Sequence, residues 1–328
     1  MLNYIIRRLF VIIPELILIS ILAFVVIQLP PGDYLTTYIM RLQASGVEIN
    51  QSIIENLKRQ YGLDRPIYIQ YFIWLKNIIT QGNFGTSFSW NIPVTDLIKE
   101  RIPITLTISL LSLALTWVIA FPVGIYSATH QYSPFDHIFT FLSFVGVSMP
   151  GFLLALIAVW FLYKFTGHAV IGVFSLEYLN QPWSFAKLMD MMKNIWLPVI
   201  VVGMAGTASL VRVIRAMMLD EIRKLYVTTA RAKGLPEYKV LVKYPLRVAV
   251  SPTISSIGWL FPSLVSGESV VGIVLNLQTI GPLLLSASLA QDMYLAGSIV
   301  LILGTLTVIG MFISDLLLAW LDPRVRYG

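Results

Sequence analysis

The residue types that carry most enzyme chemistry are scarce in this chain of 328 residues, and where they occur they stand apart. Cysteine is absent, which removes disulfides, thiolate nucleophiles and thiolate metal ligands together. The three histidines, His130, His137 and His168, lack the close pairing of a metal motif. A phosphate-cradling G-x-x-x-x-G-K-[ST] loop needs a Gly-Lys pair, and that dipeptide occurs nowhere, so the chain encodes no ATPase and holds no nucleotide or metal of its own. Three acids, Glu15, Glu268 and Asp315, lie well inside apolar runs, where hydrocarbon offers a charge no solvation and an ionisable group is a functional candidate by default. Glu15 and Asp315 can snorkel to the cytoplasmic edge near Arg7, Arg8 or Arg324, which accounts for them without a further role. Glu268 belongs to a run broken by Pro252, Gly258, Pro262, Gly267 and Gly272, and interrupted backbone at membrane depth is tolerated where it is buried in protein or lines a water-filled cavity. Glu268, Pro150, Pro262 and Gly272 are therefore the candidate pathway residues; for Glu268 both a pathway position and plain packing stay open.

The elements that must position these residues are membrane spans. With 57% hydrophobic and 12% charged residues, the chain has more apolar surface than one water-soluble core of this length uses. Taking about 20 residues per crossing, spans fall near Leu9 to Leu29, Ile104 to Tyr126, Ile138 to Tyr163, Ile195 to Leu210, Val248 to Leu275 and Leu295 to Leu321. Six crossings put both termini on one side. The first run outlasts a secretory h-region, and Pro30-Pro31-Gly32-Asp33 offers no small-residue cleavage site, so it stays as an anchor. The net charge of +6 does not form one solvated basic face for nucleic acid, because the basic residues sit between apolar runs. Arg7 and Arg8, the Lys and Arg residues between spans four and five, and Arg324 with Arg326 place the termini in the cytoplasm by the positive-inside rule. The resulting division is a first helix over 1–30, an outer segment over 31–103, a core over 104–322 that contains a cytoplasmic loop over 212–247, and a cytoplasmic tail over 323–328.

The outer segment is patterned. Ile53, Ile54, Leu57 and Tyr61 recur at helical spacing and stop at Gly62; Pro66 opens a second stretch with Ile67, Tyr71, Leu75, Ile78 and Ile79, which ends at Gly82. Val94, Leu97, Ile98 and Ile102 form a third that runs into Pro103 and span two. A small external helical subdomain results, serving either as a docking surface or as a cap over helix ends.

In the cytoplasmic loop, Leu219, Ile222, Tyr226, Thr229 and Ala230 recur at three-to-four-residue spacing, which predicts a short amphipathic helix from Leu219 to Lys233. Gly234 fits the C′ position that ends it, and Pro236 fits the start of a second helix leading through Pro245. The small residues Thr228, Thr229, Ala230 and Ala232 would let another protein approach closely, while a basic amphipathic helix lying on anionic lipid is the other reading of the same pattern.

These residues carry a resemblance. Tyr226-Val-Thr-Thr-Ala-Arg-Ala-Lys-Gly234, followed by Tyr244-Pro-Leu-Arg247 and Pro252, closely resembles the cytoplasmic loop of permease subunits in the peptide/nickel family of ABC importers. Tyr4-Ile-Ile-Arg-Arg8, Pro14, Pro31-Gly-Asp33, Tyr61-Gly-Leu-Asp-Arg-Pro66, Gly85-Thr-Ser87, Pro93, Ser148-Met-Pro150 and Ala319-Trp-Leu-Asp-Pro-Arg324 agree in order and spacing, so the similarity covers essentially the whole chain. The resemblance implies an all-α membrane protein with six transmembrane helices of the type I ABC importer fold, in the inner membrane of a prokaryote. It implies that Tyr226, Thr229, Ala230, Arg231, Ala232, Lys233, Gly234 and Leu235 form a coupling helix seated in a cytoplasmic ATPase. It also implies four partners: a second, similar permease, two ATPase subunits that bind ATP and Mg, and an extracytoplasmic solute-binding protein delivering oligopeptides or oligosaccharides. The rival class is an ion-coupled secondary transporter, which calls for paired intramembrane acids or histidine relays; here the acids are isolated.

Overall fold

A computed structural model describes residues 2–28, 65–87, 89–167, 171–179, 181–258 and 269–321. Among these the chain is helical, with one isolated antiparallel bridge between Thr86 and Pro93. The expected helix over Ile53 to Tyr61 lies outside the described residues.

Among the described residues four helices are long and apolar enough to cross a membrane: α1 (Leu2–Gln28), α3 (Val94–Thr129), α7 (Trp196–Ile222) and α13 (Met293–Leu321). The third outer stretch and span two belong to one helix of 36 residues, α3, which contains Pro103 and Pro122. The single span expected over Ile138 to Tyr163 is instead two helices, α4 (Pro134–Ser148) and α5 (Gly151–Thr166), bent by 106°. The break has a local cause. Pro150 has no N–H and disfavours helical backbone in the residue before it, and Met149 is extended at φ −89°, ψ 120°. The next run, Val248 to Leu275, includes residues outside the described set; its start is α10 (Pro245–Ala249) and α11 (Ser251–Ser255).

The remaining helices are shorter: α2 (Ile67–Gln81), α6 (Phe185–Asn194), α8 (Leu225–Ala232), α9 (Glu237–Lys243) and α12 (Ile280–Leu289). The chain divides into two compact units, one over 1–8, 103–282 and 309–328, the other over 9–102 and 283–308.

In the second unit, α2 stops at Gly82, whose φ of +63° is a left-handed stop. Trp74 and Tyr71 of α2 pack on Phe24 of α1, and the Ser20 hydroxyl lies 2.7 Å from the Tyr71 hydroxyl. Asp292, fully buried, caps the start of α13 by accepting the Leu295 N–H at 3.3 Å; its other oxygen accepts the Ser87 hydroxyl at 2.5 Å and the Ser89 N–H at 3.1 Å. The Gly85-Thr86-Ser87 segment is thereby tied to the beginning of the last helix.

In the first unit α7 is the central element. Ser112 and Thr116 of α3 donate to the carbonyls of Val199 and Gly203 at 3.1 and 3.2 Å. These bonds satisfy hydroxyls where lipid could not. α7 also meets α4 closely at Gly146, where an added Cβ would stand 2.9 Å from the Ala208 Cβ.

Candidate functional site

The loop after α7 is built from two short helices and a glycine turn. α7 runs on to Ile222; Arg223 keeps helical dihedrals, and Lys224 is extended at φ −70°, ψ 147°, so the helix expected from Leu219 to Lys233 is divided. After the step, α8 buries Val227 and Ala230 against Val240 of α9, with Leu235 and Tyr244 half-buried beside them. The buried stripe is therefore Val227 and Ala230. Tyr226 and Thr229, expected on the apolar face with Ala230, stand exposed because α9 covers the neighbouring face.

The end of α8 is sharply defined. The Lys233 and Gly234 N–H groups donate to the carbonyls of Thr229 and Arg231 at 3.1 and 2.9 Å, and Gly234 has φ +74°. A Cβ added at Gly234 would meet nothing within 4 Å, so the constraint there is on backbone conformation and not on space. Pro236 precedes α9 as its cap residue. Across the turn, Arg231 donates from Nε and Nη2 to Glu237 at 3.1 and 2.6 Å, a forked pair. The pair holds the Glu237 carboxyl below its ordinary range and raises the Arg231 guanidinium. At the other end of α8, the Tyr226 hydroxyl donates to Glu221, and partial burial followed by that hydrogen bond pushes the phenol up to about 12. The two helices thus behave as one braced projection. Its surface keeps Leu225, Tyr238 and Val242 at 85%, 65% and 60% exposure, together with Thr229, Arg231, Ala232 and Lys233.

Within the same unit, a cavity of about 600 Å³ lies between α3, α7 and the start of α11. Thr116, Trp117, Ser209, Thr253 and Ser256 are among its walls, and among the described residues none that lines it carries a charge. Gly151 and Val271 also line it, and they are the sequence neighbours of the pathway candidates Pro150 and Gly272. Gly272 itself packs on Pro282, whose Cγ would stand 2.7 Å from an added Cβ. Glu268 and Pro262 lie outside the described residues.

Of the other intramembrane acids, Asp315 pairs with Arg8 at 3.1 Å, the snorkelling arrangement that its place in the sequence suggests. A further acid escaped the sequence reading. Asp136, 1% exposed in the first turn of α4, pairs with Arg215 of α7 at 2.8 Å. Its signal was present in Ser133-Pro134-Phe135-Asp136, a capping-box spacing at the edge of an apolar run, with Arg212 and Arg215 three apart at the end of another. Among the described residues no group of three or more His, Asp or Glu side chains could hold a metal ion.

Two family models match the sequence. Residues 120–327 match the binding-protein-dependent transport system inner membrane component, and residues 1–110 match the N-terminal component of the same systems. Among curated proteins, the chain is 37% identical over 325 residues to the oligopeptide transport system permease protein AppB of Bacillus subtilis, covering 99% of each. It is 34% identical over 327 residues to a putative peptide permease protein of Brucella suis, covering 99% of each. It is 30% identical over 328 residues to the oligopeptide transport system permease protein OppB of Haemophilus influenzae, covering 100% of each.

Proposed function

This chain belongs to the inner membrane components of binding-protein-dependent transport systems, and from that premise we propose that it is one of two pore-forming permeases of an ATP-driven oligopeptide importer. It is an ABC importer permease of all-α, type I fold and a multi-pass membrane protein. Oligopeptide is proposed as cargo because the relatives above are named for peptide transport; oligosaccharide has no comparable support.

The observation that carries the reading is the braced projection over α8 and α9. A segment that only lay on lipid would need no forked ion pair across its turn and no left-handed stop. A lever needs both, because force applied at its tip must not be absorbed by bending. We assign Tyr226, Thr229, Arg231, Ala232, Lys233, Gly234 and Leu235 to contact with a cytoplasmic ATPase subunit, with Ala230 supporting them from the buried side of α8. The exposed Leu225, Tyr238 and Val242 add apolar contact area. ATP and Mg are bound and hydrolysed in two such partner subunits. A second permease completes the pathway, an extracytoplasmic binding protein delivers the peptide, and both termini of this chain lie in the cytoplasm.

The pathway is assigned to the uncharged cavity and to the interrupted backbone near it, with Pro150, Gly272, Pro262 and Glu268 as its candidate residues. Among the described residues the walls are uncharged, which suits a main chain that must be released after each cycle, and Glu268 is the one ionisable group proposed beside them.

The absence of native cysteine makes the test clean. A single cysteine replacing Ala232 is expected to cross-link to the ATPase subunit in the assembled importer, with ATP hydrolysis arising only on co-assembly. ATP hydrolysis by the purified chain alone, or a cysteine at Ala232 that never reaches the ATPase in the intact complex, overturns the proposal.

A further inference from the structure

A buried forked ion pair in the first unit joins α4 to α7, two turns before the step into α8. Asp136 is buried to 1% exposure, and its carboxylate is fully used. Oδ1 accepts from Arg215 Nε at 2.8 Å and Oδ2 from Arg215 Nη2 at 2.9 Å; Oδ2 also accepts the Tyr132 N–H at 3.0 Å, and Oδ1 the Thr140 hydroxyl at 3.4 Å. The Asp136 N–H in turn donates to the Ser133 hydroxyl at 3.2 Å, which caps α4. Tyr132 is held at φ +67°, a conformation that a residue with a side chain keeps only where its surroundings impose it. A buried pair of this kind recovers little net stability over an apolar replacement of the same shape, because both charges must be stripped of water. Its geometry, not its energy, is what it contributes.

Two further contacts run along the same seam. The Arg212 guanidinium, one turn before Arg215, lies over the Phe144 ring at 5.6 Å, and a Cβ added at Gly146 would stand 2.9 Å from the Ala208 Cβ. α4 and the second half of α7 are therefore fixed at three levels: by close packing, by a cation–ring contact and by the forked ion pair. From Arg215 it is seven residues, two turns or about 10 Å, to Ile222, where α7 gives way to the step into α8. α4 in turn ends at the Pro150 break.

We propose that Asp136 and Arg215 form the joint that passes displacement of the α8 projection from α7 into α4, and so to the bent segment at Pro150. Both are positioning residues, and the inference rests on α8 being the ATPase contact. A loosened joint lets α7 move without α4. Hydrolysis then continues while the pathway ceases to follow it.

The test is the ratio of peptide taken up to ATP hydrolysed, measured in proteoliposomes holding the complete importer with saturating binding protein and a fixed peptide. Asp136→Asn keeps shape and removes the charge; Arg215→Lys keeps charge and removes the fork. Asp136→Asn is expected to lower the ratio at least about tenfold, and Arg215→Lys by less, with ATP hydrolysis per assembled complex within about twofold of the parent. If Asp136→Asn does not assemble, Arg215→Lys decides in its place. A ratio equal to the parent's in the variant that assembles overturns the joint, because a merely structural role lowers uptake and hydrolysis together. Gly234→Val, measured alongside, separates the two readings. If it lowers the ratio and the joint variants do not, only the joint fails; if it leaves the ratio intact, the lever itself is wrong.

Discussion

Single positions govern the ends of α8, the proposed lever. Gly234 at φ +74°, with no atom near its absent Cβ, would place valine in a conformation that costs an L-residue about 1–2 kcal/mol. Asparagine tolerates that region better. We expect Gly234→Val to reduce uptake severalfold at normal expression and Gly234→Asn to reduce it less; equal uptake by both variants and the parent would contradict the assigned turn. The charges flanking the turn titrate outside the physiological range. Glu237 has a lowered carboxyl pKa, so the pair's contribution is complete above the ordinary glutamate value of about 4.3 and is lost as pH falls through the folded value. Tyr226 is raised to about 12, so its contribution is present below the ordinary phenol value of about 10 and disappears as pH rises through about 12. Difference absorbance between the parent and Tyr226→Phe should therefore show no tyrosinate from this residue until the pH nears 12. A tyrosinate signal from Tyr226 near pH 10 would mean that neither the partial burial nor the Glu221 bond holds.

At the scale of elements, the break at Pro150 and the close approach of α3 to α7 invite direct perturbation. Pro150→Ala restores an N–H and frees Met149 to become helical, so α4 and α5 can run together as one rod. The expected result is a more helical segment in hydrogen exchange and an importer slower by about tenfold, equivalent to about 1.4 kcal/mol. Unchanged exchange around residues 147–153 would show that packing alone sets the bend. Gly124→Val is the control for packing, since an added Cβ would stand 2.8 Å from the Ile214 Cγ2 and 3.1 Å from the Val211 carbonyl. Overpacking of this kind costs about 1–3 kcal/mol, and a melting temperature in detergent equal to the parent's would disprove so tight a contact. The element ends were legible in the sequence because each depends on a few adjacent residues. Proline at 66 and glycine at 82 mark the limits of α2, and glycine at 234 marks the end of α8. The break inside α4–α5 carried the same kind of signal in Met149-Pro150, but the apolar run masked it, because hydropathy is indifferent to direction.

For the whole molecule, orientation is the property that the lever requires. A membrane-impermeant maleimide applied to intact cells should label a cysteine replacing Gln81 and spare one replacing Tyr132 or Lys233, all three being exposed in the isolated fold; permeabilised cells that lack the ATPase subunits should label each. Labelling of Lys233→Cys from outside would invert the topology and with it the assignment of the ATPase face. The amino-acid sequence by itself determined that the chain has several helices apolar enough for lipid and that a glycine-ended helix follows the run at Ile195 to Leu210. Those properties follow from composition, hydropathy and nearest-neighbour backbone preference, which act over a few residues or as simple sums. Tertiary structure alone decided which face of α8 is buried, since Val227 and Ala230 are hidden only once α9 folds back on them. It also decided that Asp136 meets Arg215, 79 positions away, and that residues of several helices line one cavity. Contacts between distant residues depend on how rods cross in space, and no local pattern in a single sequence encodes that crossing.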